Sequence, residues 1–255
     1  MLRALIERFA GFALAVVVVG LPLQVVTGRA SVPWLLLTSV LGLWGGRLVR
    51  RMLVASATSA LARGECKKAR RRYSLVLFTA LSRTIRLSCR LSLAACDAAD
   101  ARFEACLRRL DRVSIPATET SLSAVALNLR AYCLARSGKE LERALILSKE
   151  CVEMRPHVPG FRHTRGLLLL ELGRYEESIR DLEATWDEGQ GSALFESERC
   201  FDLGRLWSMR GQEDYARDYY ARALQAFPEG PWAHKASALV GPPSRATAAA
   251  LETLY

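Results

Sequence analysis

The sequence predicts an all-α protein, an N-terminal transmembrane helical hairpin followed by an α-solenoid of helix–turn–helix units. Three observations carry this. Two uncharged runs lie within the first fifty residues. Beyond Arg51 apolar residues recur three and four apart, with no strand alternation and no hairpin-turn signal. Gly and Pro fall there at intervals that point to an internal repeat. The chain has 255 residues, 51% of them hydrophobic, and a mean hydropathy of +0.09. That places part of the apolar content outside a globular core.

The first element is the run FAGFALAVVVVGLPLQVVTG, residues 9–28, twenty residues without a charge. At a rise of about 1.5 Å per residue it matches a hydrocarbon core about 30 Å thick. Gly20 and Pro22 would break a soluble helix but are tolerated in a spanning one. The second run, ASVPWLLLTSVLGLWGG, predicts a span at about 31–49, with Pro33 in its first turn and Trp34 at the interface. Arg3, Arg8, Arg47, Arg50 and Arg51 flank the outer ends, and only Arg29 lies in the turn. The positive-inside rule therefore puts both termini, and all that follows, in the cytoplasm at the inner cell membrane. The competing reading is a signal peptide, with Arg3 and Arg8 before the valine run, which would place the array outside the cytoplasm. No A-x-A site follows cleanly.

Next comes a basic stretch. Of the net charge of +10, twelve Lys or Arg stand between Arg47 and Arg90 against one acid, Glu65, whereas Lys139–Glu229 holds eighteen acids and thirteen bases. Arg47, Arg50, Arg51, Lys67, Lys68, Arg70, Arg71 and Arg72 lie just past the second span and are read as membrane-surface residues. Each cation near an anionic leaflet contributes about 1 kcal/mol. Nucleic acid is the weaker explanation, because aromatics for base stacking are missing apart from Tyr73 and Phe78.

The repeat is clearest at GQEDYARDYYARALQAFPEG. Ala216, Tyr220, Ala223 and Pro228 are spaced 4, 3 and 5 residues apart, after Leu203-Gly204 and Gly211. This resembles the tetratricopeptide repeat (TPR), a helix–turn–helix unit. In that pattern Gly204 lets two helices cross, Gly211 makes the turn, Ala216 and Ala223 leave room for neighbours, and Pro228 ends the second helix. A second unit offers Gly166, Leu169, Gly173, Tyr175, Ser178, Ile179 and Leu182. A third offers Gly138, Ala144, Ser148, Cys151 and Pro156, with one residue inserted between Gly138 and Ala144. Asp187–Ser197 reads as a loop insertion. Upstream, Gly64, Ala69 and Tyr73 keep the spacing, and 83–113 is helix–turn–helix by pattern only, with its turn near Cys96-Asp97.

The expected organisation is a membrane anchor at 1–51, basic helix pairs as degenerate repeats at 52–113 and a linker at 114–121. Three TPR-like units follow at 122–230, then a capping helix and tail at 231–255. Thr120 or Ser121 would cap the helix after the linker. A terminal capping helix is required because the last unit otherwise exposes an apolar face.

No catalytic, cofactor-binding or metal-binding constellation is expected. His157, His163 and His234 lack thiols or carboxylates at ligand spacing, and no phosphate-loop or nucleophile-elbow motif occurs. The seven cysteines are scattered, with no C-x-x-C, and read as buried small hydrophobes in a reducing compartment. The resemblance implies a concave groove lined by the first helix of each unit and a protein or peptide partner. The groove positions fall at Asn128, Tyr132 and Arg136; at His163, Leu167 and Leu170; and at Phe201, Asp202, Arg205 and Met209. Their cations would engage a carboxylate of an extended peptide. Lys is absent from them, against a Lys/Asn carboxylate clamp. The chain is thus read as a membrane-anchored recruiting scaffold. The alternatives are an integral-membrane assembly or transport component whose repeats oligomerise it, and an envelope-side array.

Overall fold

The computed structural model describes residues 32–80, 82–184 and 192–240, with side chains from residue 44 onward. The chain divides into two compact units, Met1–Thr58 and Ser59–Tyr255. Within the first, the described residues form the start of one 31-residue helix, α1 (Val32–Ala62). The expected span at 31–49 is not supported by it. The uncharged part, Val32–Gly46, rises only about 22 Å at ~1.5 Å per residue before Arg47, Arg50 and Arg51 enter the same helix. Among the described residues no helix is long and apolar enough to cross a membrane. The expected span at 9–28 lies outside the described residues.

The second unit continues with α2 (Cys66–Thr79), α3 (Arg83–Ala99), α4 (Phe103–Asp111), α5 (Thr120–Arg136), α6 (Leu141–Met154), α7 (Pro159–Glu171), α8 (Tyr175–Ala184), α9 (Ala193–Met209), α10 (Glu213–Ala226) and α11 (Pro231–Ser237). No strand occurs among the described residues. From α2 on, each helix packs on the next, and the first helices α3, α5, α7 and α9 also pack side by side, with α11 closing on α9 and α10. This is an α-solenoid, with four helix hairpins from α3/α4 to α9/α10 and a terminal cap.

One turn is repeated five times. Residue 64, 101, 138, 173 or 211 has positive φ, at +71°, +56°, +64°, +74° and +72°. The following N–H in each case bonds the carbonyl five residues back, as in Glu65 to Ala60, Arg102 to Asp97, Lys139 to Leu134, Arg174 to Leu169 and Gln212 to Trp207, at 2.8–3.0 Å. These are left-handed helix C-caps that satisfy otherwise orphaned carbonyls. Four of the five residues are Gly; the exception is Ala101, which adopts the same conformation against its Cβ. The α3/α4 turn therefore lies at Asp100–Arg102, beyond the expected Cys96-Asp97, and 83–113 is a full unit.

Size complementarity holds the later hairpins. A Cβ on Gly204 would come within 2.5 Å of the Tyr220 ring, and one on Gly166 within 2.8 Å of Leu182. Glycine is needed at both crossings. The residue inserted after Gly138 is absorbed by Glu140, itself left-handed at φ 46°. Neither Thr120 nor Ser121 caps α5; its N-cap is Glu119, without a side-chain bond. The expected loop insertion is shorter than read, because α9 is already helical from Ala193, capped by Ser192 accepting from the Phe195 N–H at 3.2 Å. The same helix carries Glu198 inward. All seven cysteines are buried and free, and burial pushes the thiols of Cys66, Cys151 and Cys200 up to about 12.

Candidate functional site: a groove closed by its own charges

The first-helix row brings four of the expected groove residues into one buried cluster. Arg136, near the end of α5, reaches across α7 to α9. Its two terminal nitrogens donate to Asp202 Oδ1 and Oδ2 at 2.9 and 2.7 Å, and one also donates to Glu198. Tyr132, one turn earlier, donates its hydroxyl to Glu198 Oε1 at 2.6 Å. From α7, His163 Nε2 sits 3.2 Å from Asp202 Oδ2, off the line of a good hydrogen bond. Phe195 stacks edge-on against its ring at 5.0 Å. Trp232 of α11 covers the Arg136 guanidinium at 4.2 Å, a cation–π contact, and Lys235 lies over the same ring.

Burial is nearly complete: Arg136 is 6% exposed and Asp202 fully buried. Burial alone would raise the Asp202 carboxyl, but Arg136 and His163 outweigh it and hold the group well below the usual carboxylate range. Burial likewise works against the Arg136 charge, and Asp202 with Glu198 more than restores it. Burial, then the Glu198 charge, pushes Tyr132 well above its ordinary value. Ion pairs this dry are decided by geometry, and here both carboxylates are hydrogen-bonded and Arg136 is bidentate.

His163, Glu198 and Asp202 lie close enough together to share a metal ion. Arg136 does not leave room for one electrostatically, since its guanidinium already bonds both carboxylates and would face the cation. The donor set fits an internal salt bridge.

The other expected groove residues lie elsewhere. Leu167 and Leu170 are core residues, Leu167 packed with Leu145 and Leu170 with Leu182 and Leu203. Phe201 packs on Tyr220 and Trp232. Asn128 is half-buried, Arg205 pairs with Glu171 at 2.8 Å, and Met209 is 53% exposed. Sequence reasoning missed Glu198, Phe195 and Trp232. A signal for Glu198 was present, four residues before Asp202 on one helix face. Of the expected membrane-surface residues, Arg47, Arg51, Lys67, Lys68 and Arg71 are exposed, and Arg50 and Arg72 are half-buried. Arg70 turns inward to Asp97 and Asp100 at 2.8 and 2.6 Å.

Stacked hairpins with left-handed turns and a first-helix row define a TPR-type solenoid. No family model matches the chain, and no curated sequence matches it. Solved structures do. TTC0263, a thermophilic TPR protein of Thermus thermophilus, superposes with a TM-score of 0.56 at 16% identity, over 75% of this chain and 98% of that one. PlcR of Bacillus thuringiensis, solved with the peptide PapR7 and DNA, gives a TM-score of 0.58 at 13% identity, over 76% of this chain and 74% of that one. At such identities the likeness is one of fold.

Proposed function

We propose that the chain is a membrane-anchored scaffold that binds a protein or peptide partner and catalyses no reaction. The observation that carries the binding reading is the row of first helices α3, α5, α7 and α9, stacked side by side as in other TPR arrays. Within that row the terminal nitrogens of Arg136 are taken by Asp202 and Glu198, so it stiffens the array and is not spare for a partner's carboxylate. Contact falls to the members that keep surface: Asn128, Arg205 and Met209. Anchoring rests on the uncharged run at 9–28 and on the cations from Arg47 to Arg72. The same charge asymmetry argues for a cytoplasmic array, and both termini share that side only with a second crossing at 31–49. Tethering would raise the partner's local concentration at the bilayer.

A photo-crosslinking residue at Met209 in the membrane-bound full chain is expected to capture a discrete partner. The same residue at the exposed Ile146 of α6 should not. Equal capture from both positions would sink the groove. A compartment-sensitive reporter fused after Tyr255 tests orientation, and activity only outside the cytoplasm would reverse it.

A further inference from the structure

A second arginine cluster lies in the unit formed by α3 and α4. Arg90 of α3 and Arg108, Arg109 and Arg112 along α4 line a cleft of about 370 Å³. Its remaining walls are apolar, Leu77 of α2 with Ala105 and Val113, and no acid lines it. Arg112, just past the end of α4, lies three and four residues after Arg109 and Arg108, so it neighbours both on the helix surface and repels them there. A helix C-terminus offsets part of that repulsion for Arg108 and Arg109. It does nothing for Arg90, which belongs to the middle of α3.

The surrounding acids are already committed. Arg109 donates Nε to the buried Asp97 at 2.8 Å. Asp97 also takes Arg70 and Arg102, and Asp100 takes the same two. The acids of α4 are drawn away by other helices, Glu104 by Lys139 and Asp111 by Arg130. Arg90, Arg108 and Arg112 have no ion pair or hydrogen bond to any described residue. Around the cleft six arginines thus face two carboxylates, Asp97 and Asp100. Arg109 is held by its Nε alone, which fixes the guanidinium plane and leaves both terminal nitrogens for a ligand.

We infer that this cleft binds a phosphate monoester group through Arg90, Arg108, Arg109 and Arg112, with Leu77, Ala105 and Val113 taking the apolar part of the ligand. Guanidinium forks match phosphate oxygens in pairs, and an apolar wall strengthens each contact by excluding water. The volume lies within the range of small-ligand pockets. A nucleic-acid backbone is the poorer occupant, because no aromatic side chain lines the cleft to stack a base. The inference does not depend on the membrane reading, since a free phosphate monoester and an anionic lipid headgroup carry the same group.

The test uses the full chain in detergent or vesicles, with isothermal titration by inorganic phosphate and glycerol phosphate. Flotation with phosphatidylcholine vesicles, with and without phosphatidic acid, tests the lipid source. The double variant Arg108→Gln/Arg112→Gln removes two exposed partners and spares the Asp97 anchor; Arg143→Gln/Arg174→Gln removes equal charge from later units. Saturable binding weakened at least tenfold by the first variant and unchanged by the second supports the site. If that pattern holds for glycerol phosphate the source is soluble, and if it holds only for phosphatidic acid vesicles the source is lipid. Equal losses in both variants, tighter binding of a single-stranded oligonucleotide than of any monoester, or no binding at all would overturn the inference. An unchanged melting temperature of the first variant shows that any loss is local.

Discussion

Two groups of arginines in one helical array meet opposite fates. Arg136 is dry, bidentate and shared between two carboxylates, whereas Arg90, Arg108 and Arg112 line a cleft and bond no carboxylate among the described residues. The residue type is the same and the fold repeats from unit to unit. What differs is supply: α9 brings Glu198 and Asp202 to Arg136, while Lys139 and Arg130 draw the α4 acids away from the cleft. The first arrangement consumes its charge inside the protein. The second leaves charge for a ligand.

The sharpest way to break this contrast is to take a carboxylate from the closed site. Asp202→Ala leaves Arg136 buried with half its partners and is expected to cost about 3–5 kcal/mol, read by urea denaturation. The Arg108→Gln/Arg112→Gln pair, which removes unpaired exposed charge, should move stability by less than about 0.5 kcal/mol. Similar costs at the two sites would mean that they do not differ as described.

Acid separates them next. Because the Asp202 carboxyl is held below its unfolded value, its contribution is fully present above about pH 4 and is lost as pH falls toward the folded value. Stability should therefore drop below about pH 4, with a shallower slope in Asp202→Asn. An unchanged slope would remove Asp202 as the source.

Smaller effects probe the open side. Ala101→Gly relieves the one turn where a Cβ occupies the left-handed position and should stabilise by about 1 kcal/mol, read as a raised melting temperature. Ala105→Glu supplies the missing acid, three and four residues before Arg108 and Arg109. A gain of about 0.5 kcal/mol is expected, together with loss of phosphate binding. If binding survives a carboxylate in the cleft, the arginines do not carry it.

The units turning at Gly138, Gly173 and Gly211 were legible because a left-handed cap strongly favours glycine. The α3/α4 unit was not, because Ala101 fills that place. Cys106 and Leu110, buried where Ala216 and Tyr220 sit in the last unit, were the register signal that remained. The start of α9 was hidden by reading extra residues as loop, though Ser192 before an apolar-and-acidic turn was a cap signal. At the groove, helical register correctly puts Tyr132, Arg136, His163 and Asp202 on first helices, but register stops at the helix face.

By itself the sequence determined the helical class, the repeat spacing, most turns and the crowding of cations before Arg90, since these follow from local conformation and neighbours within one or two turns. Only the tertiary structure decided which charges were spent. Arg136 meets Glu198 and Asp202 across 62 and 66 residues, a pairing made by the side-by-side stacking of the first helices. Arg90, Arg108 and Arg112 meet no carboxylate among the described residues, because the packing carries Glu104 and Asp111 to Lys139 and Arg130.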